Sequence, residues 1–93
     1  MRIPETVEIF GKTITIDLTN LDDLHGDYDA DKLVIRLDIK QDVDSQFKTL
    51  IHECIHAALD IGGLRHMLSG KVEEAVTRCI ENGLADILEI RSE

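Results

Sequence analysis

The pentapeptide His52-Glu53-Cys54-Ile55-His56 is the stretch of this chain whose residue types and spacing could do chemistry. Two histidines four positions apart on a helix stand one turn from each other on the same face, so both imidazoles can reach one metal ion. The glutamate between them is placed to take a proton from a water that such an ion activates. The pattern H-E-x-x-H therefore suits metal-assisted hydrolysis, and zinc is the ion expected for it. A catalytic zinc takes three protein ligands and keeps a fourth position open. The third ligand must come from further along the chain, where His66, Glu73 and Glu74 are the candidates. Asp60, one turn beyond His56, would be a crowded ligand.

The motif needs a helix to hold it. Phe47, Leu50, Ile51, Cys54, Ile55, Ala58 and Leu59 recur at helical spacing and form an apolar face. At 100° per residue the two histidines lie roughly 120–160° from the centre of that face, on its flank rather than in the core. Asp42-Val43-Asp44-Ser45 offers N-cap side chains and Gly62-Gly63 a stop, so a helix is predicted from about Ser45 to Ile61. A second helix is predicted from about Lys71 to Ile90, with Val72, Ala75, Val76, Cys79, Ile80, Leu84, Ile87 and Leu88 at helical spacing.

On the wheel of that second helix, with Val72 at zero, Val72, Ala75, Val76, Cys79, Ile80 and Ile87 cluster between about −60° and +80°. Glu73 falls at roughly 100°, on the shoulder of the apolar face, whereas Glu74 falls near 200°, facing solvent. Antiparallel packing of the two helices would bring shoulder to shoulder. Glu73 is accordingly the expected third ligand, with His52 and His56, and a different crossing would select Glu74 or His66. Both glutamates also suit a helix N-terminus without any metal.

The residues before the motif alternate as strands do. Val7 and Ile9, then Ile14, Ile16 and Leu18, flank Gly11-Lys12, so residues 6–18 read as a hairpin. A short extended piece near Leu24 to Tyr28 and a turn at Asp29–Lys32 precede the alternation of Leu33, Ile35, Leu37 and Ile39. Asp27, Asp29 and Asp31 resemble the start of a calcium loop, but Lys32 stands where that loop needs Gly and Asp38 where it needs Glu; an acidic turn is the better reading. Strands followed by helices predict one α+β domain over residues 1–93, with three to four antiparallel strands and the helices on one face.

Thr49 to Ala57, followed by Val72-Glu73-Glu74-Ala75-Val76, resembles the gluzincins, in which a Glu on the next helix completes the zinc site, as in thermolysin. The chain is more closely similar to small zincins of phages and prophages, near the ImmA/IrrE and SprT-like groups. There, too, a few strands precede a helix reading like Leu-x-His-Glu-x-x-His-Ala. The resemblance implies a minimal metallopeptidase with Zn2+ on His52, His56 and a downstream Glu, and Glu53 as the general base. It departs from the metzincin pattern, since Leu59 and Gly62 stand where that pattern has Gly and His. SprT-like proteins take a third His from a Gly-His-Gly-like segment, for which this chain has only Arg65-His66-Met67. For the oxyanion donor of larger gluzincins, Tyr28, His66 and Arg78 are the available stand-ins.

Composition narrows the rest. The formal net charge of −9, from 19 acidic and 10 basic residues, argues against nucleic acid and against anionic membranes. Three aromatic side chains, Phe10, Tyr28 and Phe47, provide little for stacking on bases. Cys54 and Cys79 are expected as buried apolar residues on helix faces, and Cys54 diverges from the histidines too far to be a ligand. With no apolar leader segment at the N-terminus and no long apolar run, a reducing cytoplasm is the expected location. The expected partner is a peptide or protein substrate, extended along an edge strand over residues 33–39. A zinc-stabilised domain without activity, or an acidic interaction protein, are the alternatives.

Overall fold

The computed structural model describes residues 2–84. Strands β1 (Thr6–Ile9), β2 (Lys12–Thr19), β3 (Gly26–Asp29) and β4 (Val34–Asp38) precede helix α1 (Val43–Ile61), a 3-10 turn (Arg65–Met67) and helix α2 (Gly70–Gly83). The fold is α+β, as expected. Ile87 and Leu88, assigned above to the second helix, lie outside the described residues.

The sheet is mixed rather than antiparallel throughout. Its order is β1-β2-β4-β3, with β2 and β4 parallel and the other two pairs antiparallel. After β2 the chain leaves one strand's width free, runs back as β3 at the edge, and returns as β4 in the gap. Alternation fixes which face of a strand is buried but not which strand lies beside it. For the same reason residues 33–39 are not the exposed edge: β4 is an interior strand and β3 is the edge. The strand is also shorter than its alternation, since Leu33 turns at φ +55° and Ile39 is exposed.

Ile14 and Ile16 of β2 and Ile35 and Leu37 of β4 point to one face and meet Leu50 and Ala57 of α1. This is the core, and each of its Ile and Leu side chains contributes about 1.5–3 kcal/mol when fully buried. The hairpin turn is Phe10-Gly11, one residue earlier than expected, because Ile9 pairs with Lys12. Both turn residues have positive φ, +50° and +75°, as a two-residue hairpin of type I′ requires. Phe10 takes this unusual backbone, and its ring lies beside Gly62 at the end of α1.

Helix α1 starts on Asp42, whose carboxylate accepts from the Ser45 amide at 2.8 Å. It lies against β1, β3 and β4, while α2 packs on α1. The approach of α1 to the edge strand is tight at Gly26: a Cβ there would stand 2.6 Å from Thr49 Cγ2 and 2.7 Å from the Arg36 carbonyl. The Gln41 side chain ties the two elements together, accepting from Thr49 Oγ1 at 3.2 Å and donating to the His25 carbonyl at 3.2 Å.

Helix α2 does not turn its apolar stripe inward. Thr77 is fully buried, whereas Val72, Cys79 and Ile80 are exposed. Cys79 is therefore not a core residue, in contrast to the expectation. Cys54 does pack against the core, and burial pushes its thiol up from 9.0 to about 11.

Two outcomes follow from this packing. Gly26→Ala should cost about 1–3 kcal/mol by overpacking, read as a lowered urea midpoint. Thr49→Ser should recover only part of that loss, since the Arg36 carbonyl stays in place; an unchanged midpoint in Gly26→Ala would contradict the close approach. For Cys54, a folded-state pKa above the unfolded value contributes stability that is complete below pH 9 and is lost as pH rises through 11. The fall in urea midpoint between pH 9 and 11 should be smaller in Cys54→Ala than in the parent.

Candidate metal centre

The site sits where α1, α2 and the edge strand β3 meet. The pairs His52–Glu81 and His56–Glu73 run in opposite chain directions, so the two helices are antiparallel, as expected. His56 Nδ1 lies 2.7 Å from Glu73 Oε2, and His52 Nδ1 lies 3.1 Å from Glu81 Oε2. In both rings Nδ1 faces a carboxylate of α2, and Nε2 faces the other histidine.

Those two Nε2 atoms are 3.3 Å apart. Between them stands Glu74, with Oε1 at 3.2 Å from His52 Nε2 and Oε2 at 3.3 Å from His56 Nε2. The two Nε2 atoms and the Glu74 carboxylate thus lie together, each nitrogen beside a different oxygen of that carboxylate. Two imidazoles with a carboxylate are a donor set that zinc accepts. His52, His56 and Glu74 could therefore hold a metal ion.

The wheel favoured Glu73, and the geometry brings Glu74 to the Nε2 atoms instead. Glu73 sits on the far nitrogen of His56, the position of an outer carboxylate that orients a ligand. The difference comes from the rotation of α2: the wheel assumed that the apolar stripe faces α1, whereas the inward face carries Glu73, Glu74, Thr77 and Glu81. Glu81 was not singled out from the sequence. The signal for it was available, since Glu74, Thr77 and Glu81 recur at i, i+3 and i+7 as a polar stripe on an otherwise amphipathic helix.

Glu53 borders both depressions that flank the cluster. Burial raises its carboxyl above the usual 4.5, and the neighbouring His56 and His52 oppose that rise. It is the carboxylate of the motif itself and borders the cluster of His52, His56 and Glu74. On the His52 side lies a wide groove of about 1010 Å³, bordered by Leu24, His25, Phe47, Ile51, Arg78 and Glu81 among others. On the His56 side lies a pocket of about 280 Å³ bordered by Asp27, Tyr28, Asp60, Arg65 and Glu73. Gly26 and Glu53 border both.

The other sequence candidates fall into place around this. Tyr28 donates to Asp60 Oδ2 at 2.9 Å, and Asp60 also accepts from Arg65 at 3.4 Å, which accounts for Asp60 without a ligand role. Burial and then the bond to Asp60 push the Tyr28 phenol up to about 12, so it stays protonated. Arg78 stands at the rim of the wide groove, its Nε 3.7 Å from Glu74 Oε1. His66, on the exposed 3-10 turn, borders neither depression. The Asp27/Asp29/Asp31 set is occupied as a turn: Asp27 pairs with Arg36, and Asp29 accepts from the Asp31 and Lys32 amides.

The pairing is open to direct measurement by nitrogen-15 spectra of the two imidazoles. Glu81→Ala should perturb His52 and leave His56 unchanged, with Glu73→Ala doing the reverse; perturbation of both rings by either change would dissolve the pairing.

No family model, curated protein or solved structure matches this chain.

Proposed function

We propose that this protein is a zinc-dependent metallopeptidase in which His52, His56 and Glu74 hold the ion. The observation that carries this reading is the cluster of two Nε2 atoms 3.3 Å apart with the Glu74 carboxylate within 3.3 Å of each, and Glu53 beside it. A bound zinc supplies Lewis acidity toward a carbonyl oxygen and a water that ionises near neutral pH.

The protein's own residues supply the remainder. Glu53 accepts the proton of the attacking water and returns it to the departing amine, a role suited to a half-buried carboxyl whose pKa is raised toward the working range. Glu73 and Glu81 hold the two rings so that Nε2 faces inward. The edge strand offers a place for an extended substrate. The Asp38 amide donates to the His25 carbonyl, so the bonded pairs of the antiparallel ladder are His25/Asp38, Asp27/Arg36 and Asp29/Val34. The amides and carbonyls of Gly26 and Tyr28 then face outward, beside Glu53 and His56, ready for a peptide to add as a fifth strand.

Zinc titration of the parent and its variants tests this. One zinc per chain is expected, with His52→Ala, His56→Ala and Glu74→Ala each weakening binding by orders of magnitude. Glu73→Gln and Glu81→Gln should weaken it by roughly 10–100-fold, as outer partners do. Glu53→Gln should keep zinc and lose hydrolysis of a casein or peptide-library substrate. Glu74→Ala binding like the parent while Glu73→Ala fails would return the third ligand to Glu73. Stoichiometric zinc with no hydrolysis by the parent would make the ion structural.

A further inference from the structure

Among the described residues, every side-chain hydrogen bond or ion pair that joins α2 to another helix or strand ends on His52 or His56. The apolar share of this seam is small. Thr77 is the one buried side chain on α2, and its hydroxyl donates to the Glu73 carbonyl of the same helix at 2.8 Å. It therefore offers α1 little more than a methyl group, while Val72, Cys79 and Ile80 stay exposed. Partly exposed carboxylate–imidazole contacts hold weakly, and a helix of 14 residues is marginal by itself in water. Helix α1 is held differently, with Leu50 and Ala57 set into the core against Ile14, Ile16, Ile35 and Leu37. The connection from Gly62 to Met67 is exposed throughout, so α2 can part from α1 without opening that core.

We infer that the metal ion is the fastening of α2, which acts as a clasp that closes on α1 when zinc binds and opens when zinc leaves. This rests on the zinc site proposed above and adds how that site is assembled. His52 and His56 stand on α1 and Glu74 on α2, so an ion held by all three binds the closed arrangement only. A ligand that binds one of two arrangements shifts the balance toward it by the factor 1 + [L]/Kd. Closure also completes the cleft. Glu74, Arg78, Glu81 and Asn82 are the α2 wall of the wide groove, and Glu73 borders the small pocket. With α2 open, both depressions lose that wall. Zinc then precedes the peptide, because the cleft that grips a peptide exists only after the ion has joined the helices.

The test uses the full chain with zinc alone as the probe, and amide hydrogen exchange as the readout. Without zinc, the amides of α2 should exchange far faster than those of β2 and β4, which report that the domain is folded. Zinc at 100 times its Kd should slow exchange in α2 by about a hundredfold. Trypsin cleavage after Arg78, in the middle of α2, should slow with zinc in parallel. Glu53→Gln should show the same protection as the parent, since Glu53 is not a ligand. Glu74→Ala should leave α2 at its zinc-free exchange rate at the same zinc concentration, with β2 and β4 still protected. Protection of α2 level with β2 and β4 in the zinc-free protein overturns the inference and leaves the zinc site standing. One zinc bound per chain with α2 exchange unchanged overturns the clasp and removes Glu74 from the ligands. A chain that binds no zinc overturns the metal reading and the clasp together.

Discussion

The seam between α1 and α2 is polar, and the site depends on that. A helix pair in a small domain ordinarily meets through apolar side chains. Here the contacts that face each other are imidazoles from α1 and carboxylates from α2, around one buried threonine. Each Nδ1–carboxylate contact does two things at once. It fixes the rotation of α2 against α1, and it settles which nitrogen of each ring is left to face Glu74. Turning α2 to bury Val72 and Ile80 instead would break both pairs and carry Glu74 away from the histidines. Packing and chemistry are therefore decided by the same contacts.

A second constraint sets the sheet edge beside the motif. β4 is inserted between β2 and β3, so the sheet presents β3 to the motif. Gly26 allows that strand to approach α1 more closely than any side chain would permit. The approach brings the outward backbone groups of β3 alongside Glu53 and His56. A bulkier residue at position 26 would push the edge away from the helix and widen the cleft at the one point that both depressions share.

Much of this was legible in the chain, and the failures have specific causes. The motif helix could be read because capping by Asp42, the apolar stripe and the stop at Gly62-Gly63 agree with one another. Strands β1, β2 and β4 were legible from period-two alternation, but neighbour order was not, because alternation carries no information on pairing. That Glu74 rather than Glu73 lies beside the Nε2 atoms was hidden for a similar reason. A helical wheel ranks faces by hydrophobicity, and α2 turns inward the face with the strongest polar partners instead. The i, i+3, i+7 set Glu74, Thr77 and Glu81 is invisible to a wheel that scores only apolar residues.

The net charge of −9 takes on a different meaning once the site is in view. Four acidic side chains, Glu53, Glu73, Glu74 and Glu81, surround the two imidazoles. They concentrate negative charge at one point of the seam, a field that would favour retention of a cation. On the reading proposed above, the acidity of the whole chain and the composition of its site act in the same direction.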